Sequence, residues 1–315
     1  MIRFAFYTDA HLSGQNPRHR IDDFPAALIA KLREVYSVAE QHGARFMVFG
    51  GDFFNNHRIF SYDVIADAMD IVCESPLTTY ACVGEHDLHA HNLKSYVSST
   101  LAFFVRRCPS MRILWEPVEA CPGIVLYGKH EPDDIQEAMR RKVDKSKVNI
   151  LVCHELLAQS GNAPFDVIAT DTLQGCPYDL VVSGDLHTGY EPHEANGCWF
   201  CNPGSMARRT TADADRWPQV AIVDVDKNEI PVIEYVRLKV SKAGDEVFGE
   251  SIAEVARAAV EFDADDFTKE LMEFEAESVD VHELVQRIGR AREPEPVPEP
   301  VLRYLASKKP AETAA

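Results

Sequence analysis

Five short segments rich in Asp and His punctuate this chain, and most of them follow directly on a short apolar run. They are Asp9-Ala10-His11, Gly51-Asp52, Gly84-Glu85-His86-Asp87, Cys153-His154-Glu155 and Gly184-Asp185-Leu186-His187. Phe46-Met47-Val48-Phe49 precedes the second, and Leu180-Val181-Val182-Ser183 precedes the last. An unbroken apolar run of this length suits a strand buried on both faces. The polar residues therefore fall where buried strands end and loops begin, the place where binding and catalytic groups concentrate. Core packing does not account for five such segments in one chain.

Between these segments the periodicity changes. Residues 24–42 repeat apolar positions at helical spacing (Leu28, Leu32, Val35, Tyr36, Ala39), with Asp22 or Asp23 as cap and Gly43 as stop. Residues 62–73 do the same through Ile65, Ala68, Met69 and Val72, and Pro76 ends that helix. A β-branched, aromatic strand over 78–83 leads to the third segment. A helix over 93–106, short strands around 112–118 and 124–127, a charged helix over 133–143 and a strand over 148–152 follow. Helices alternate with buried strands first, and strands predominate later. This pattern predicts an α/β fold, a two-sheet β-sandwich flanked by helices. Beyond residue 250 the segments 252–262, 267–274 and 281–288 read as acidic, moderately amphipathic helices. Glu293-Pro294-Glu295-Pro296-Val297-Pro298-Glu299-Pro300 predicts an extended linker, ending in the apolar patch Val301-Leu302-Arg303-Tyr304-Leu305. The expected organisation is a catalytic domain over 1–240, a small acidic helical extension over 241–292 and a linker and tail over 293–315.

The net charge of −18 argues against a uniformly basic nucleic-acid-binding surface. Residues 241–315 hold 18 acidic and 9 basic residues, so half of the excess lies there. Basic pairs survive nearer the motifs: Arg18 and Arg20, and Arg208 with Arg209, are candidates for phosphate contacts. Arg106 with Arg107, and Arg140-Arg141-Lys142, read as solvated helix faces. The start of the chain has no basic leader or small-residue cleavage site. No apolar stretch approaches the ~18 residues of a spanning helix. A soluble, cytoplasmic protein is expected, with no membrane partner. The 8 cysteines are scattered and are expected as reduced thiols. Cys198-Trp199-Phe200-Cys201 sits in an apolar run and has no second pair at zinc spacing.

Carboxylates and imidazoles at loop ends hold divalent ions, and this mixed O and N set suits Mn²⁺, Fe²⁺ or Zn²⁺ better than a thiolate site does. Two such ions lower the pKa of a shared water and clamp phosphoryl oxygens during in-line attack. In this order, Asp-x-His, Gly-Asp, Gly-x-His-Asp, a lone His after a strand and Gly-x-x-His resemble the calcineurin-like metallophosphoesterases. Within them the chain looks most like the SbcD-type DNA repair nucleases, including their phage relatives. Gly51-Asp52-Phe53-Phe54, His86-Asp87-Leu88-His89 and Asn202-Pro203-Gly204-Ser205 support the likeness, which covers about residues 1–225.

The resemblance implies one metal held by Asp9, His11 and His187, and Asp52 as the bridge to a second. The second ion would take His154 with positions 85 and 185, and His86 would donate a proton to the leaving oxygen. Asn55 falls where nuclease relatives often place another His; Asn55, Arg18 and Arg208 are candidate substrate contacts. His57, His89 and His91 read as surface or satisfied loop histidines. The family normally has Asn at position 85 and His at position 185, whereas this chain has Glu85 and Asp185. Four carboxylates instead of two favour harder ions, Mn²⁺ first, with Mg²⁺ and Fe²⁺ as alternatives.

The resemblance implies a Mn²⁺-dependent DNA exonuclease and endonuclease in DNA repair or recombination. It would act as a homodimer beside an SbcC-like coiled-coil ATPase. The competing readings are a small-molecule phosphatase or phosphodiesterase, and a non-catalytic scaffold with an altered second metal site.

Overall fold

In the computed structural model, the described residues are 1–159, 167–227 and 229–249. The acidic helices, the Pro/Glu linker and the apolar tail expected beyond residue 250 lie outside them.

The first half runs β1 (Ile2–Tyr7), α1 (Phe24–Gln41), β2 (Met47–Phe49), α2 (Tyr62–Glu74), β3 (Thr79–Ala81), α3 (Thr100–Arg107) and β4 (Met111–Ile113). Then come β5 (Val118–Cys121), β6 (Ile124–Lys129), α4 (Ile135–Met139), β7 (Val148–Glu155), β8 (Leu157–Ala158) and β9 (Ile168–Ala169). The chain continues through β10 (Leu180–Asp185), β11 (Tyr190–Ala195), β12 (Cys198–Asn202), β13 (Gln219–Val225), β14 (Val232–Arg237) and α5 (Gly244–Val247).

Two six-stranded mixed sheets result, ordered β14-β13-β1-β2-β3-β4 and β11-β12-β10-β7-β6-β5. Strands β1 to β4 are mutually parallel, as are β6, β7, β10 and β12; antiparallel strands close the flanks. The expected sandwich of α/β class is present.

The unbroken apolar runs follow from burial on both faces. Phe4, Phe6, Phe46 and Val48 meet Ile150, Val152 and Val182 between the sheets. Their sequence neighbours Ala5, Tyr7, Met47 and Phe49 face α1 and α2, and Leu151, Cys153 and Val181 pack on the outer side of the second sheet. Cys198 and Cys201 fall in different clusters on opposite faces of β12, so they cannot share an ion.

Three local expectations change. The helix over 93–106 divides into a 3₁₀ segment, Leu93–Ser98, and α3, because Ser99 caps the second piece by accepting from the Ala102 amide at 3.0 Å. The helix over 133–143 is only α4, so Arg140-Arg141-Lys142 follow a helix instead of lining one. Cys73 of α2 and Cys108 after α3 lie 5.6 Å apart at Cα, within the reach of a disulfide, so two of the thiols expected to be scattered are neighbours. No helix among the described residues is long and apolar enough to cross a membrane.

Candidate metal centre

Each motif residue arrives at the carboxyl end of a strand. Asp9 and His11 follow β1, Asp52 follows β2, Glu85 and His86 follow β3, His154 lies near the end of β7, and Asp185 and His187 end β10. Because these strands are parallel neighbours within their sheets, their ends cluster at one edge of the sandwich. Asp9, His11, Asp52 and Asp185 all have positive φ, between 42° and 74°. Non-glycine residues in that region cost on the order of 1–3 kcal/mol each and persist only where surroundings enforce them.

The enforcement is visible in the hydrogen bonds. The Asp9 amide donates to the Gly51 carbonyl at 3.1 Å and the His11 amide to the Asp52 carbonyl at 3.0 Å, which ties the first two motifs together. The Pro203-Gly204-Ser205 turn joins the first motif to the last. Ser205 Oγ donates to the Asp9 carbonyl at 2.9 Å, and the Ser205 amide donates to the His187 carbonyl at 3.0 Å. Asp87, a member of the third motif without a role assigned from sequence, is buried. It accepts from the amides of Asp52, Phe53, Phe54 and Gly84 at 3.1 to 3.4 Å, shaping the loops that present Asp52 and His86.

Donor atoms converge at this edge. Asp9, His11 and His187 form one group with mutually close donors; Asp9, Asp52 and His154 form another, and His11, Asp52 and His86 a third. His11 Nε2 and His187 Nε2 are 3.0 Å apart, and His187 Nε2 is 3.6 Å from Asp9 Oδ1. Asp52 Oδ2 lies 3.7 Å from His11 Nε2 and 3.5 Å from His154 Nε2, so Asp52 stands between the two imidazoles. His154 donates from Nδ1 to the Gly50 carbonyl at 2.9 Å, and its buried Nε2 has no hydrogen-bond partner. With Nδ1 committed to that carbonyl, Nε2 is the atom left to face Asp52 and, in place of a proton, a ligand.

Positions 85 and 185 differ from this pattern. Asp185 Oδ1 is 4.0 Å from His154 Nε2, and its amide donates to the Asp9 carboxylate. Glu85, one methylene longer than Asn, carries its carboxylate to His86 Nε2 at 3.6 Å and His91 Nδ1 at 4.0 Å. Glu85 and Asp185 are not members of the tight donor groups. His91 also contacts Glu131 Oε1 at 3.2 Å, giving the centre an acidic rim that the sequence motifs do not include.

The charge balance fits cations. Burial, reinforced by Asp52 and Asp185, pushes Asp9 up to about 7, although His154 pulls the other way. Burial, reinforced by Glu85, Asp52 and Glu131, pushes Asp185 up to about 6. Burial opposes ionisation of Asp52, but His154 outweighs it and holds Asp52 well below the usual carboxylate range. Burial likewise disfavours protonated His154, and Asp52, Asp185 and Asp9 overcome it, holding His154 well above the ordinary imidazole value. Burial lowers His11 strongly and His187 to about 4, leaving neutral imidazoles suited to ligation. Crowded carboxylates with neutral imidazoles and one unpartnered buried nitrogen make a donor set suited to divalent metal ions.

Around the donors, His86 donates from Nδ1 to the Asn55 carbonyl at 2.7 Å, and its amide donates to Asp52 Oδ1 at 2.9 Å. Its Nε2 therefore faces the centre. Asn55 contributes this carbonyl, while its buried side-chain Oδ1 has no hydrogen-bond partner. His57 Nε2 bonds the Ser95 carbonyl at 3.1 Å and packs against the His89 ring.

The basic residues are corrected by the fold. Arg208 is 1% exposed and donates to the carbonyls of Ala214, Arg216 and Lys242, so it clamps main chain and cannot reach a phosphate. Arg20 is buried, paired with Asp22 at 2.7 Å and bonded to the Arg208 carbonyl. Arg18 is exposed in the loop before α1. The next residue, Arg209, is close enough to contribute to lowering both His11 and His187 electrostatically. Adjacent arginines in an irregular segment differ in burial, and nothing in composition separates them.

No protein-family model matches this chain, and no curated protein matches it in sequence. Among solved structures, it is similar to a Staphylococcus aureus protein assigned as a 5'-nucleotidase and solved with alpha-ketoglutarate. That similarity has a TM-score of 0.44 at 15% identity and covers 74% of this chain and 53% of that one. It is similar also to a dimetal phosphatase from Danio rerio, with a TM-score of 0.49 at 10% identity, over 74% of this chain and 95% of that one. The chain thus spans about half the length of the first of these, and at such scores neither likeness bears on the chemistry. The donor cluster itself is the finding that bears on function.

Proposed function

We propose that the chain is a divalent-metal-dependent phosphoesterase that hydrolyses phosphodiester bonds in DNA. The observation that carries this reading is the convergence of Asp9, His11, Asp52, His154 and His187, with the buried, unpartnered His154 Nε2 directed at Asp52. Asp9, His11 and His187 would hold one ion and Asp52 with His154 a second, with Asp185, 4.0 Å from His154 Nε2, and Glu85 as the further carboxylates available to the second. When bound, two such ions supply Lewis acidity toward phosphoryl oxygen and ease deprotonation of water, with Mn²⁺ favoured by the carboxylate-rich set. His86, fixed through Asn55, presents Nε2 to donate a proton to the leaving oxygen. Arg209, whose charge is felt by His11 and His187, is the cation this reading assigns to the phosphate. The DNA specificity, the homodimer and an SbcC-like ATPase partner belong to the same reading and rest on the motif resemblance.

The test is hydrolysis of linear and hairpin DNA, bis(p-nitrophenyl) phosphate and p-nitrophenyl phosphate in Mn²⁺, Mg²⁺ and Zn²⁺. Asp52→Asn is expected to lower Mn²⁺-dependent DNA cleavage by about a thousandfold, the scale of losing a metal ligand. Turnover of the monoester with intact DNA would move the function to small-molecule phosphatase. No turnover of any substrate would leave the scaffold reading.

A further inference from the structure

Beside the rim formed by Glu85, His91 and Glu131 lies a cleft of about 370 Å³ that has no role in the chemistry above. Its walls include Leu114, Trp115, Tyr127, Gly128, Arg141 and Lys142. Leu114 and Trp115 follow β4, the neighbour of the strand that leads to Glu85 and His86. Gly128 lies on β6, the neighbour of the strand that carries His154. The cleft is therefore one strand away from the metal centre in both sheets, at the same edge.

His130 links the two. It donates from Nε2 to the Leu114 carbonyl at 3.0 Å and accepts from the Val83 amide at Nδ1 at 3.0 Å. The residue that follows it, Glu131, contacts His91 of the rim.

Three features give the cleft a ligand chemistry. Trp115 is 47% exposed, yet its ring is braced, 5.0 Å from Tyr96 and 4.5 Å from His130 between centroids. A large aromatic held in place and left open to water is a stacking platform. Arg141 and Lys142 bring positive charge into a wall of a chain that is strongly acidic overall, with Glu116 on the opposite account. Arg141 is fixed by donation from Nη1 to the Gly128 carbonyl at 2.6 Å. The volume falls in the range of small-ligand sites and is far too small for a duplex. A paired base has both faces stacked already, whereas an unpaired base offers a free face.

We propose that this cleft is a subsite for one unpaired nucleotide of a single-stranded polynucleotide, its base stacked on Trp115 and its phosphate facing Arg141 and Lys142. The inference rests on the phosphodiesterase reading and places a nucleotide flanking the scissile bond in the cleft.

The test is equilibrium binding of a labelled eight-nucleotide oligodeoxynucleotide to the full-length chain in Ca²⁺, repeated in EDTA. Thymidine monophosphate and a duplex of equal length are the comparison ligands. Trp115→Ala is expected to weaken oligonucleotide binding by about tenfold, the scale of losing one stacked base, and Trp115→Tyr to recover most of it. Lys142→Ala is expected to weaken binding less and to flatten its salt dependence. Thermal melting of each variant controls for folding, and because Trp115 and Lys142 are exposed the cost of these substitutions to folding is small. Equal binding by wild type and Trp115→Ala, or a preference for duplex that ignores Trp115, overturns the subsite. Trp115-dependent binding by a protein that hydrolyses no phosphodiester keeps the subsite and sinks the functional reading. Cleavage of DNA with binding indifferent to Trp115 does the reverse.

Discussion

The two sides of the metal centre are built differently. On the side of Asp9, His11 and His187, the loops are laced together by main-chain hydrogen bonds, and Asp9 and His11 are fully buried. Thr8 Oγ1 donates to Asp9 Oδ2 at 2.6 Å, and Ser205 joins this loop to the last motif. On the side of Glu85 and Asp185, the carboxylates, His91 and Glu131 face one another across a partly exposed rim. Glu85 and Asp185, the two positions at which the sequence departs from the motif pattern it resembles, both lie on the open side. Substitution at the buried Asp9 or His11 leaves an unpaired group, whereas the partly exposed His187, Glu85 and Asp185 exchange charge with solvent at lower cost.

The largest expected contrast is in pH dependence. His130 supports the open side, and burial lowers it to about 4, against an ordinary value of 6.5. Its Nδ1 accepts from the Val83 amide, so protonation there breaks a buried bond. Between pH 6.5 and 4 the unfolded chain binds more protons than the folded one, so this contribution to stability falls as pH falls through that window. Urea unfolding is expected to show wild type losing about 3 kcal/mol more than His130→Gln across it. Parallel pH profiles for the two proteins would remove His130 as the weak point of the open side.

A smaller effect is expected in metal preference. Restoring the family-like residues with Glu85→Asn and Asp185→His replaces two hard donors on the open side. Calorimetric titration is expected to shift the Zn²⁺ to Mn²⁺ affinity ratio toward Zn²⁺ on the order of tenfold. An unchanged ratio would mean that the open side does not touch the cation. The smallest effect belongs to the closed side: Ser205→Ala is expected to cost about 1 kcal/mol in thermal or urea unfolding. It leaves metal preference as it was, since Ser205 bonds the Asp9 main chain and not its carboxylate.

Much of this architecture is legible residue by residue. The runs before Gly50 and Gly184 become β2 and β10 because both faces of each strand are buried. Asp23 caps α1, accepting from the Ala26 amide at 3.0 Å. The strands β11 and β14 at the sheet flanks carry little signal in the sequence, because their burial alternates weakly and β14 exposes Val232. Arg208 and Arg209 were indistinguishable, because burial of one guanidinium depends on carbonyls contributed by Ala214, Arg216 and Lys242. Glu131, His91 and Trp115 carry no motif, and only the meeting of β4 and β6 at one edge gives them a place beside the centre.

Local chemistry thus dictated the strands, their polar ends and the donor types, since a strand buried on both faces must be apolar until it reaches solvent. Packing settled the remainder. Which donors come together, which arginine is buried, and the acidic rim and aromatic cleft near them all depend on strand order and on left-handed backbone at Asp9, His11, Asp52 and Asp185. Those conformations are unfavourable one residue at a time and hold only because neighbouring loops bond across the sandwich edge.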